Sequence, residues 1–151
     1  MKVLLVGYGK MGKAIEEILI ERGHTVVGKI NHRPETEDLN DAEVAIEFSK
    51  PEVAFENIRT LVENQIPAIS GTTGWIDRLE EIIRLISEKE SAFLYASNFS
   101  LGVNLFFELN DHLSKLMSKY SDYKIEIEEV HHTQKLDKPS GTAITLANQI
   151  I

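Results

Sequence analysis

The chain has 151 residues, a formal net charge of −8, 42% hydrophobic and 26% charged residues, and no cysteine. That length suffices for one good core and the start of a second. The acidic balance argues against general binding to nucleic acid or acidic membranes, both of which need a basic face. Without cysteine there is no disulfide or thiolate chemistry, which fits a reducing cytoplasm.

The first apolar run, Val3-Leu4-Leu5-Val6, is too short for a signal peptide or a membrane span. Lys2–Val6 reads as a buried parallel strand. Residues 11–22 place Met11, Ala14, Ile15, Ile18 and Leu19 on one helical stripe, with Gly23 as a stop. Thr25–Ile30 and residues 43–48 are the next strands. Ser49 is positioned to cap a helix running to about Asn64, with Val53, Ile58, Leu61 and Val62 inward.

Further on, residues 66–69 read as a strand, 77–89 as a helix, 92–95 as a strand and 103–118 as a helix. The last helix carries Leu105, Phe106, Leu109, Leu113 and Leu116. This alternation predicts a parallel sheet with helices on both faces, an α/β fold of Rossmann type. The pattern then changes: residues 122–130 alternate, with Ile125 and Ile127 opposed to Lys124, Glu126 and Glu128, as in a strand with one wet face. A domain change is expected near residue 101, giving a dinucleotide-binding domain over 1–101 and the beginning of an α+β substrate domain over 102–151.

Gly7-Tyr8-Gly9-Lys10-Met11-Gly12 follows a strand and opens a helix. In a dinucleotide site these glycines make the tight turn, admit the pyrophosphate and let helix pack on strand, while the helix N-terminus meets the phosphates. A P-loop reading fails at Ala14, which has no hydroxyl for magnesium. Glycines serving packing alone are the bland alternative. Where NAD sites carry an acid after the second strand, this chain has Lys29-Ile30-Asn31-His32-Arg33. Asn31 can bond a ribose hydroxyl, and His32, Arg33 or Lys29 can meet a 2′-phosphate, so NADPH or dual use is expected; surface charge by chance is the alternative.

Two later loops have the chemistry to line the same crevice. Gly71-Thr72-Thr73-Gly74 offers small residues and hydroxyls for a carboxamide. In Ala96-Ser97-Asn98-Phe99-Ser100, Asn98 and backbone groups suit a nicotinamide, with Phe99 packing against it. Each is weak alone; three loops beyond one sheet edge favour a cofactor crevice. Asn98-Phe99-Ser100 also spells a glycosylation sequon, read as chance.

The stretch 129–143, EVHHTQKLDKPSGTA, crowds cationic groups into an acidic protein. On a strand, His131 and His132 point to opposite faces and so have different jobs. Adjacent divergent histidines without cysteine make a poor metal site. Ser140 is expected to cap a helix over 143–150, whose first N–H groups seat an anion. With His132 and Lys135 nearby, that end suits a small dianion, and a histidine is the simplest acid or base near neutral pH. A basic exposed loop is the alternative.

These residues resemble the 4-hydroxy-tetrahydrodipicolinate reductase family. The likeness rests on His131-His132, Lys135, Asp137 and Pro139-Ser140-Gly141-Thr142-Ala143. Also similar are residues 7–12, Glu47-Phe48-Ser49 (usually Asp-Phe-Ser/Thr), residues 71–74, and the run 96–104. The resemblance implies hydride transfer from NADH or NADPH to an unsaturated ring bearing two carboxylates, with loss of water, in the diaminopimelate route of lysine biosynthesis. By position it makes His131 the acid/base residue and Lys135 a proton donor. His132 with the Gly141 and Thr142 backbone grips carboxylate, and Gly7, Tyr8, Gly9, Lys10, Met11, Gly12, Asn31, Gly71, Thr72, Thr73, Ala96, Ser97, Asn98 and Phe99 hold the cofactor. It implies a homo-oligomer, a tetramer in the family; the residues themselves, as above, point to a cytoplasmic protein with no metal, nucleic-acid or membrane partner. Two departures are a glycine loop one residue shorter than the family's GxxGRMG and Asn31 in place of the usual acid. Separately, Ile151 falls inside a helix, and one strand with one helix cannot bury a sheet alone, so the chain is expected to be truncated. Another two-domain NAD(P) dehydrogenase, or a non-catalytic dinucleotide-binding module, are the competing readings.

Overall fold

The structure, a computed structural model, describes residues 1–131, 133 and 138–150. It divides into two compact units, 1–96 and 97–151.

The first unit holds five strands: β1 (Lys2–Val6), β2 (Thr25–Ile30), β3 (Val44–Glu47), β4 (Ala68–Ser70) and β5 (Phe93–Tyr95). All pairs are parallel, in the order β2-β1-β3-β4-β5. Helices α1 (Lys10–Glu21), α2 (Pro51–Glu63) and α3 (Leu79–Lys89) connect them, the last preceded by a 3-10 turn at Ile76–Arg78. Alternation along β1 separates two faces. Val3 and Leu5 pack with Leu19 of α1, whereas Leu4 and Val6 pack with Leu61 of α2. Both pairs are almost wholly buried, which is why β1 reads as an unbroken apolar run rather than an alternating one. A third cluster joins Phe55, Ile58 and Val62 of α2 to Ile82 of α3 and to Trp75.

Three expectations fail here. The apolar stripe of α1 is narrower than its sequence indicates: Leu19 is buried and Ile15 partly so, while Met11, Ala14 and Ile18 are exposed. Only positions 12, 15 and 19, spaced by three and four, face the sheet. In α2, Ile58, Leu61 and Val62 are buried but Val53 is exposed. Ser49 does not cap α2; the N-cap is Lys50 with Pro51 at the first turn, because the Ser49 hydroxyl is drawn to Glu47 instead.

In the second unit, α4 (Leu101–Met117) is capped by Ser100, whose hydroxyl accepts from the Val103 amide. Asn104 Nδ2 also bonds the carbonyls of Asn98 and Ser100 at 3.0 and 2.8 Å. Its apolar stripe of Leu105, Phe106, Leu109, Leu113 and Leu116 is exposed, and Phe107 is the buried position. Asn110 Nδ2 ties α4 to α5 (Gly141–Asn148) through the Leu146 carbonyl at 3.2 Å and Gln149 Oε1 at 2.9 Å. Residues 122–130 form no strand, and Ile125 and Ile127 are exposed. Alternation alone does not make a strand: the ladder needs a neighbouring chain to accept its hydrogen bonds, and none pairs with this segment among the described residues.

Candidate functional site

In an open parallel sheet, the chain leaves β1 in one direction and β3 in the other, so a crevice opens beyond their carboxyl ends. Gly7 follows β1 and Phe48 follows β3. Their backbones touch so closely that a Cβ on Gly7 would lie 2.0 Å from the Phe48 carbonyl oxygen, and Gly7 has φ +91°. Gly12 has no room either: its Cβ would meet the Gly7 carbonyl at 2.4 Å. Only glycine allows this turn and this approach of α1 to β1.

Gly9 differs. Nothing lies within 4 Å of where its Cβ would stand, and α1 has no side-chain cap at Gly9. The first amides of α1 are thus left to an anion or solvent, and Gly9 keeps the approach to them low. These residues fit a dinucleotide pyrophosphate.

After β2, Asn31 Oδ1 accepts the Tyr8 amide at 2.7 Å. Its remaining polar group is Nδ2, a donor. Each neighbouring basic side chain has an acid beside it. Lys29 bonds Glu16 at 3.0 Å, His32 bonds Asp38 at 2.9 Å, and Arg33 lies 3.4 Å from Glu56. The Tyr8 hydroxyl also donates to Glu16. That bond and the Lys29 ammonium hold the Glu16 carboxyl below its ordinary value.

The loop after β4 packs on the loop after β3: a Cβ on Gly71 would sit 2.1 Å from the Phe48 ring. Thr72 turns inward, its hydroxyl donating to Glu47 at 3.0 Å and accepting the Ser49 amide at 2.8 Å. That hydroxyl is therefore engaged within the protein rather than offered to a carboxamide. Thr73 is partly exposed at the same loop.

In the second unit, Asn98 Oδ1 accepts the Ser100 amide at 2.8 Å, leaving its Nδ2 as donor. Phe99 is exposed. Ser97 Oγ lies 3.5 Å from Thr145 Oγ1 of α5. Ser140 caps α5 as expected, accepting the Ala143 amide at 3.1 Å.

Glu129 connects this cap to His131. It accepts the Ser140 amide at 2.9 Å and bonds His131 Nε2 at 2.9 Å. Hydrogen bonds from Ser140 and from the His131 ring lower the Glu129 carboxyl to about 2. Gly141 and Thr142 form the first turn of α5. His132, Lys135 and Asp137 lie outside the described residues.

In the sequence Glu47 and Glu129 stand out only as parts of motifs, and Ser70 and Trp75 do not stand out at all. The signal for Glu47 was an acid ending a buried strand, followed by residues rich in hydroxyls.

Comparison with known proteins accounts for both units. The family model described as dihydrodipicolinate reductase, N-terminus, matches residues 1–99. The model for dihydrodipicolinate reductase, C-terminus, matches residues 102–151. A 4-hydroxy-tetrahydrodipicolinate reductase from Christiangramia forsetii is 54% identical over 153 residues, covering 100% of this chain and 64% of that protein. One from Staphylococcus haemolyticus is 33% identical, with 99% and 64% covered. This chain therefore spans 64% of the length of both relatives. A dipicolinate-bound dihydrodipicolinate reductase from Paenisporosarcina sp. TG-14 superposes with a TM-score of 0.71 at 25% identity, covering 99% of this chain and 65% of that one. A hyperthermophilic archaeal homoserine dehydrogenase in complex with NADPH, 12% identical with a TM-score of 0.54 over 62% of this chain and 43% of that one, shares the fold. With one family model matched to the glycine loop and sheet, and the other to the Glu129–Ser140 segment, the chain belongs to the dihydrodipicolinate reductase family.

Proposed function

We propose that the protein reduces 4-hydroxy-tetrahydrodipicolinate to tetrahydrodipicolinate with NADH or NADPH, as a step of lysine biosynthesis. Membership of the family over both units carries this reading. The bound cofactor supplies a hydride. Residues Gly7, Tyr8, Gly9, Lys10, Met11 and Gly12 hold its pyrophosphate through backbone N–H groups. Asn31 bonds the ribose. Gly71, Thr72, Thr73, Ala96, Ser97, Asn98 and Phe99 line the nicotinamide side, Thr72 by its backbone.

His131 is the acid/base group, and the Glu129 carboxylate fixes which ring nitrogen faces away from it. Lys135 is the second proton donor. The α5 end at Gly141 and Thr142, with His132, receives a carboxylate. The dipicolinate bound by the Paenisporosarcina relative has the two carboxylates that such a site needs. Because Lys29, His32 and Arg33 near Asn31 already have acidic neighbours, we propose that both nicotinamide cofactors are used. A cytoplasmic homo-oligomer, and a domain boundary near residue 101 drawn from the change in sequence pattern, complete the reading.

The test is consumption of NADH and NADPH by the purified protein, given freshly made hydroxy-tetrahydrodipicolinate. Substrate-dependent oxidation of either is expected. A folded protein that binds cofactor but oxidises neither would overturn the proposal.

A further inference from the structure

Glu47 ends β3 with no exposed surface. A buried carboxylate is costly unless donors surround it, and among the described residues it has no cationic partner. Donors come instead from three places in the chain. Its own loop supplies the Ser49 amide at 3.1 Å and the Ser49 hydroxyl. From β4 comes the Ser70 hydroxyl at 2.6 Å. The loop after β4 adds the Thr72 hydroxyl at 3.0 Å. Asn57 of α2 extends the chain of bonds, donating to Ser49 Oγ at 3.2 Å while itself 2% exposed.

All of these bonds serve the two loops that wedge together at Phe48 and Gly71. The next link is Trp75, whose indole N–H donates to the Thr72 carbonyl at 2.7 Å. Trp75 is buried and stands edge-on to Phe93 and Tyr95 at centroid distances of 5.9 and 5.7 Å. It is also the single tryptophan of these 151 residues. The loop therefore hangs between a hydroxyl tied to Glu47 and a carbonyl tied to the core.

We propose that Glu47 is a positioning residue for cofactor binding: by accepting from Ser49, Ser70 and Thr72 together, it locks the loops after β3 and β4 into one surface for the nicotinamide half of the dinucleotide. Glu47 does not touch the cofactor. It acts through Phe48, Gly71 and Thr72, and the inference rests on the dinucleotide reading of that sheet edge.

Glutamine is nearly isosteric, but it replaces one acceptor oxygen by a donor. Placed at the Oε2 position, its amide forces the Ser70 hydroxyl to turn and leaves a buried hydroxyl hydrogen without its acceptor. At the Oε1 position it faces the Ser49 N–H, which cannot turn. Either way the lock loosens while the volume of the core is kept.

The experiment measures Trp75 emission, NADH and NADPH dissociation constants and steady-state kinetics for the wild type, Glu47→Gln and Glu47→Asp. For Glu47→Gln, both dissociation constants and both KM values are expected to rise about tenfold, with kcat within twofold. Trp75 emission should shift even without cofactor. Glu47→Asp keeps the acceptors and should recover to within about threefold of the wild type. Unchanged cofactor affinity in Glu47→Gln overturns the proposal, whatever happens to its melting temperature. So does a fall in kcat alone, or an Asp variant no better than Gln. If Glu47→Gln does not fold, Ser70→Ala removes one donor and should raise both constants about threefold; no rise overturns the proposal. A wild type that binds neither dinucleotide refutes the cofactor reading itself, whereas a wild type that binds beside an unaffected variant refutes only the role of Glu47.

Discussion

Glu129 and Ser140, eleven positions apart, are joined by the Ser140 amide donating to Glu129 Oε1 at 2.9 Å. In a capping box, the third residue of a helix returns a carboxylate to the amide of the capping residue. Here that third residue is Ala143, which has none, and Glu129 supplies the carboxylate from outside the helix. The same carboxylate bonds His131, so the proposed acid/base group and the proposed anion-binding helix end share one anchor.

That anchor predicts a pH signature. The Glu129 carboxyl is lowered from 4.5 to about 2 in the folded protein. A depressed carboxyl contributes stability that is complete above its unfolded value and lost as pH falls through the folded one. The melting-temperature advantage of wild type over Glu129→Gln is therefore expected in full above about pH 4.5, and should shrink toward zero near pH 2. Thermal melts across that window check it; a constant difference down to pH 2 contradicts the assignment.

Gly9 and Gly71 should fail in different ways. Gly71→Ala drives a methyl into the Phe48 ring, and overpacking of this kind costs about 1–3 kcal/mol. Gly9→Ala meets nothing in the protein. It should melt within a degree or two of wild type yet bind NADH and NADPH at least tenfold more weakly, because its methyl would stand in the path of the pyrophosphate proposed to bind there. Melting curves beside dinucleotide titrations separate the two, and equal loss of stability in both variants would refute the distinction.

Asn31→Asp tests cofactor choice. Aspartate can still accept the Tyr8 amide, but it places a negative charge where Asn31 leaves a donor. NADPH kcat/KM is expected to fall about a hundredfold, equivalent to about 2.7 kcal/mol, through repulsion of the 2′-phosphate. NADH kcat/KM should stay within about fivefold. An equal fall for both cofactors would show that Asn31 acts on the loop rather than on the ribose.

His131→Gln should lower kcat by at least a hundredfold, the range of a lost general acid, with NADH and NADPH dissociation constants near wild type. Lys135→Ala should lower the rate and weaken substrate use together. Cofactor titration alongside the rate assay decides the first, since a loss of dinucleotide affinity in His131→Gln removes it from the proton-transfer role.

Much of the first unit was legible in the sequence because its determinants are local. Continuous apolar runs mark strands buried on both faces, and Val3 to Val6 are so buried. The glycine spacing after β1 reports a steric demand of its own turn, and Ser140 caps the helix that begins one residue later. Other features depend on neighbours that spacing does not reveal. Residues 122–130 have the alternation of a strand but no strand partner in the described residues. Ser49 has the chemistry of a cap, yet Glu47 holds its hydroxyl. Val53 fits an apolar stripe and faces outward.

By itself, then, the sequence determined the parallel α/β order, the glycine turn and the helix end at Ser140, each specified by residues within a turn or two of one another. Tertiary structure alone decided that Glu47 gathers Ser70 and Thr72 from 23 and 25 positions away, and that Glu129 reaches across eleven to Ser140. The physical reason is that a buried or shared carboxylate takes its meaning from the donors folding brings to it, and those donors have no periodic relation to it along the chain.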